Sequence, residues 1–146
     1  MQHIPILAPV VALVDWTLVM QIWMYATRLP AMRRMGIDLK GRRGGRGAQL
    51  DGVLADEVQW KAHNYNHLLE QPTLFYAIAL TLALTGGGLK WSLWLAWAYV
   101  GLRVLHSLIQ ATSNVVRWRF LVFSLASLVL LALTVHTGMI LLHLYG

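Results

Sequence analysis

An all-α fold, a bundle of four helices integral to a membrane, is predicted by three observations. Hydrophobic residues make up 58% of the 146 and charged residues only 12%, where an ordinary soluble domain carries about a quarter. Four apolar runs reach the roughly 20 residues that a bilayer crossing requires. The basic residues collect in one segment between two of those runs instead of spreading over a surface. A soluble enzyme does not fit this pattern.

The first span is read at about 4–28, with Asp15 as its only acidic residue. Its first basic residue, Arg28, comes after the apolar run, so the charged leader of a cleavable signal peptide is missing and a retained span is expected. Residues 30–58 form the one long polar stretch, opened by Pro30 and interrupted by Gly36, Gly41, Gly44, Gly45 and Gly47; its glycine-arginine core is a poor helix former. The second span covers about 59–85 and stops at Gly86-Gly87-Gly88. Only a tight turn separates it from the third span, at about 91–114, which makes the two antiparallel neighbours. The fourth span follows at about 119–144. The whole chain reads as a single membrane domain.

Charge sets the orientation. Arg33, Arg34, Lys40, Arg42, Arg43 and Arg46 lie in the first connection, Arg117 and Arg119 in the third, and Lys90 alone in the second. The positive-inside rule then puts the large loop in the cytoplasm and both termini outside. The net charge of +6 is thereby explained by anionic lipid, and no nucleic-acid partner is expected. Trp60, Trp91 and Trp118 fall at span ends, where indoles anchor helices in the headgroup layer. The absence of cysteine excludes disulfides, thiolate metal ligands and a cysteine nucleophile. Thiol chemistry here needs a thiol brought by a substrate.

Ionisable groups inside spans are costly and are functional candidates by default. Three stand out, one in each of the first three spans: Asp15, Glu70 and Arg103. Counting about 1.5 Å per residue from the cytoplasmic helix ends puts all three roughly 16 to 21 Å deep, in one layer. A carboxylate, Asp15 or Glu70, is the expected partner of Arg103, and the plain reading is an ion pair that fixes helix register. A functional reading adds the neighbours. His63, His67, Glu70 and Leu74 form a stripe on the second span, with Asn66 beside it; Arg103, His106, Gln110 and Asn114 form one on the third. Turned inward or toward a subunit interface, the two stripes make a polar cleft open to the cytoplasm. Pro72 predicts a kink or a freed carbonyl close to Glu70. His136 and His143 read as interfacial or packing residues, and His3 carries no signal.

The run from Lys61 to Tyr76, with His63, Asn66, His67, Glu70, Pro72 and Phe75, resembles the second helix of the MAPEG family, the membrane-associated proteins of eicosanoid and glutathione metabolism. That helix carries a basic residue, an asparagine, a glutamate, a proline and a phenylalanine in similar order. The likeness extends through Leu102–Ser107 and Arg117–Phe120, and is greatest to uncharacterised bacterial members. It implies a homotrimer in a bacterial inner membrane, with glutathione as co-substrate at each subunit interface on the cytoplasmic side. The implied activity is a transferase or peroxidase acting on a lipophilic electrophile or hydroperoxide. Glu70 would bind the amino end of glutathione and Arg103 would line the pocket. His63, Asn66, His67, His106, Gln110 and Asn114 complete the binding set, and Arg117 or Arg119 would stabilise the thiolate. A cation beside sulfur lowers the thiol pKa and raises the population of nucleophile.

Two readings of another class stand beside this one. His63, His67, Glu70 and His106 are ligand-type residues at similar depth, which would suit a metal or haem site in a helical bundle. Four spans with a carboxylate in the first, Asp15, also describe a small proton-coupled exporter.

Overall fold

A computed structural model describes residues 4–38, 40–41, 43–87 and 90–145. His3, Arg42 and Gly88 of the sequence reading lie outside these. The described residues form five α-helices and one short 3-10 turn, with no strand among them: α1 Leu7–Arg34, α2 Asp56–Leu68, α3 Pro72–Thr85, α4 Trp91–Thr112 and α5 Val116–Tyr145, with the 3-10 turn at Gly47–Leu50. Four segments are long and apolar enough to cross a membrane, α2 and α3 counting together as one.

Each helix buries one narrow stripe. In α1 it is Pro9, Leu13, Thr17, Met20 and Met24; in α3 it is Phe75, Ala79 and Leu82; in α5 it is Val122, Ala126, Leu130, Leu133 and Thr137. The steps of three and four residues are those of one helical face. Fully buried alanines, Ala79, Ala96, Ala111 and Ala126, let backbones approach closely, as packing between membrane helices demands. Thr17 and Thr137 are accommodated because each hydroxyl donates to the carbonyl four residues back, Leu13 O and Leu133 O, both at 2.8 Å. The opposite faces expose Val11, Leu18, Ile22, Leu121, Leu128 and Leu131, a surface suited to lipid or to another subunit.

Two boundaries differ from the sequence reading. Pro30 does not open the loop, because α1 continues through it to Arg34. Its ring removes one donor only, and the helix regains a favourable end where Arg33 and Arg34 meet the negative pole of the macrodipole. The second span is divided. α2 ends at Leu68, residues 69–71 form a turn, and Pro72 takes the first position of α3, where its missing N–H costs nothing. The glycine stop is as expected at Gly86, whose left-handed φ of 72° closes α3.

α2 packs between α1 and α4, α3 leans on α5 and α1, and α4 and α5 form the most extensive pair. The second and third spans are therefore neighbours through α2 and α4. The break at 69–71 sits at the height where α4 carries its charge.

Candidate functional site

The buried face of α4 is polar through its C-terminal half. Tyr99, Arg103, His106, Ser107 and Gln110 recur at three- and four-residue steps and are all buried, Arg103 to 0% exposure. α2 meets this face with Asn64 and His67, and α5 meets it with Phe123. Asn64 Nδ2 donates to Ser107 Oγ at 2.6 Å. Arg103 Nη2 donates to the His67 carbonyl at 2.9 Å and stands 3.1 Å from His67 Nδ1. A guanidinium only donates, so that nitrogen accepts and the imidazole proton sits on Nε2. The His67 and His106 rings stack with centroids 4.8 Å apart, Phe123 lies 5.1 Å from the first and 5.9 Å from the second, and Arg103 stands 5.8 Å from the Phe123 centroid.

The helix break supplies the acceptor that holds Arg103. In a continuous helix the His67 carbonyl would take the amide of Gln71. Here Leu69 N turns back to Asn66 O at 2.9 Å and Thr73 N to Glu70 O at 3.2 Å, and the His67 carbonyl accepts from the guanidinium. Pro72 makes this arrangement easy because it cannot donate to Leu68. Beyond the break, Gln71 Nε2 donates to Ser127 Oγ at 2.8 Å, and Tyr99 Oη donates to Gln71 Oε1 at 3.3 Å while its ring stacks on Phe75 at 4.6 Å.

Asn64 is the tie between α2 and α4 at this layer. Its replacement by alanine is expected to lower stability by about 1 to 3 kcal/mol, because Ser107 is left buried without its donor. Thermal unfolding in detergent checks this, and adding Ser107→Ala to that variant should recover part of the loss.

A second polar group lies where the loop meets the start of α2. His63 Nε2 donates to Asp51 Oδ1 at 2.9 Å, and Gln59 Nε2 donates to the same oxygen. Asp51 N is bonded to Ala48 O at 3.0 Å, which ties the acid to the 3-10 turn. The bonds from His63 and Gln59 hold the Asp51 carboxyl below the usual carboxylate range. The contact therefore persists at neutral pH and is lost as pH falls through that lowered value. A cavity of about 210 Å³ opens beside it, lined by Asp56, Gln59, Trp60, His63 and Asn114 among others. Asn114 caps the end of α4 with a left-handed φ of 51°, and its Oδ1 accepts from Arg119 Nη1 at 2.6 Å.

Against known proteins, the family model described as the MAPEG family matches residues 6–139, nearly the whole of the chain. The chain belongs to the MAPEG family. No curated protein and no solved structure matches it. The MAPEG match spans the polar face of α4, the helix break and the Asp51–His63 contact alike.

Within this MAPEG chain the sequence-predicted residues divide into three groups. His67, Arg103, His106 and Gln110 come together in the buried face. Asn114 and Arg119 form a pair at the end of that face, joined to His63 by the small cavity. Asn66 and Glu70 are exposed, as is Arg117, whose guanidinium lies 5.6 Å from the Trp118 centroid. The expected carboxylate partner of Arg103 is corrected: its observed partner is His67, and both Glu70 and Asp15 are exposed on the protomer. The break causes this. A stripe counted through His67, Glu70 and Leu74 assumes an unbroken helix, whereas Glu70 stands in the turn between two. The ligand set imagined for a metal or haem does not assemble either, because His63 faces Asp51 and Glu70 faces outward; among the described residues no three metal-ligating side chains converge.

Sequence reasoning missed Asp51, Asn64, Gln71, Tyr99 and Ser107. Tyr99 and Ser107 lie four residues before and after Arg103, so the same period that found His106 and Gln110 reaches them. Asp51 carried no local signal, since a loop carboxylate meets a helical histidine only after folding.

Proposed function

We propose that this MAPEG protein is a membrane-bound glutathione-dependent transferase or peroxidase acting on lipophilic electrophiles or hydroperoxides. Glutathione is held between protomers of a homotrimer, on the cytoplasmic side to which the large basic loop belongs. The observation that carries this reading is Glu70, a carboxylate exposed on the protomer at the break in a membrane-spanning segment. Facing lipid there costs several kcal/mol. A neighbouring subunit with the ammonium of a bound ligand removes that cost, and glutathione carries such an ammonium. Asp15, also exposed on a span, calls for the same kind of cover.

Arg119 is the better placed of the two arginines to stabilise a thiolate. Its guanidinium is anchored on Asn114 at the end of α4, while Arg117 is exposed beside Trp118. The lipophilic substrate arrives through the bilayer, to which the helices already present leucine faces.

Calorimetric titration of the purified protein with glutathione tests the reading. Saturable binding in the millimolar range or tighter is expected, together with product from a lipophilic electrophile or hydroperoxide. Absence of both sinks the proposal, and substrate-dependent proton flux in liposomes would then favour the exporter reading built on Asp15.

A further inference from the structure

We propose that His63 is a general base and Asp51 its positioning residue, and that together they take the proton of a thiol co-substrate at the small cavity between the loop and the cytoplasmic ends of α2 and α4. The inference rests on the thiol-dependent reading above and adds a group to it.

The contact is arranged in one direction. A carboxylate only accepts, so His63 Nε2 carries the proton that meets Asp51 Oδ1 at 2.9 Å, and Nδ1 keeps a free lone pair. Asp51 is itself immobilised, by Gln59 on the same oxygen and by the bond of its backbone to Ala48 in the 3-10 turn. An acid fixed on one ring nitrogen selects the tautomer whose other nitrogen is basic. His63 also lines the cavity of about 210 Å³, enough for a thiol and its neighbouring atoms, and is half exposed at 45%. Across that cavity stands Asn114, the residue on which Arg119 is anchored. A base and the amide that anchors a cation thus share one opening. Among the described residues, the other charged groups around the pair are Asp56 on the cavity wall and Arg28 on α1, whose guanidinium donates to Gly47 O and attracts Asp51.

The step balances within the site. The S–H proton passes to His63 Nδ1 and the sulfur keeps the bonding pair as a thiolate. Asp51 stabilises the imidazolium from its far side, and the imidazolium in turn pairs with the thiolate. Sulfur then bonds to the electrophile. In an addition, the proton returns from Nδ1 to the atom on which negative charge develops; in a displacement, it leaves with the departing group.

The test uses the full-length protein in detergent or liposomes. Thiolate formation from glutathione is followed by its ultraviolet absorbance in stopped flow across pH, beside calorimetric binding. At saturating glutathione, thiolate formation in His63→Gln and Asp51→Asn should slow about 100-fold, within the range of general-base contributions, with calorimetry recording the affinity of each variant separately. Free imidazole should restore the rate to His63→Ala and not to Asp51→Asn, a result that a merely structural contact would not produce. Unchanged rates and pH profile in variants that still bind glutathione overturn the base assignment and leave the glutathione reading standing. Failure of the parent protein to bind glutathione overturns both.

Discussion

Arg103→Ala is expected to lose about 3 to 5 kcal/mol of stability, the largest effect of any single replacement in this protein. Arg103 is the largest side chain completely buried in the protomer, and its removal leaves a cavity beside Phe123 and His67. It also deprives the His67 carbonyl and Nδ1 of a charged donor, and hydrogen bonds to charged groups are worth about 1.5 to 3 kcal/mol. Thermal unfolding in detergent measures the sum. Arg103→Met separates the two contributions, because it refills the volume without the donors and should recover the cavity part alone. If the alanine variant melts with the parent, Arg103 does not hold α2 to α4, and the account of the helix break as its acceptor is wrong.

The second large effect is on binding. Glu70→Ala is expected to weaken glutathione binding by about 10- to 100-fold, the consequence of losing one charge-assisted contact of roughly 1.5 to 3 kcal/mol. Its thermal unfolding should match that of the parent, since the carboxylate is exposed in the turn and supports no packing in the protomer. Glu70→Gln keeps the shape and removes the charge, so it should lie close to alanine if the ligand presents an ammonium. Affinities unchanged within twofold in both variants would remove Glu70 from the site. These two predictions probe opposite sides of one short segment: Arg103 grips it from inside the protomer and Glu70 leaves it outward.

Much of the fold was legible in the chain because a bilayer is a demanding solvent. A run of apolar residues long enough to span is a local property, and the four runs reappear as the four spanning segments. The polar face of α4 was legible for a related reason, since helical period alone gathers Arg103, His106 and Gln110 on one side. Pro72 announced an interruption, and the interruption is there. Less of the site was legible. Asn66 drew attention as a neighbour of the stripe, whereas the buried amide is Asn64, two residues away on the other side of α2. Which side of a helix with polar residues all round is buried depends on how it is rotated between its neighbours, and α2 is packed between two.

The order of residues alone carries the apolar character of the chain, the number of segments long enough to cross a membrane, the concentration of positive charge in one loop, and the register of the polar residues along α4. Tertiary structure decided who meets whom. Arg103 finds a histidine and a backbone carbonyl in place of an acid because three residues of turn reset the helical phase ahead of Pro72. Asp51 finds His63 because the 3-10 turn folds the loop back onto α2. Period and hydropathy are carried by neighbours in the chain, whereas a contact between segments is set by the rotation and closure of all of them at once.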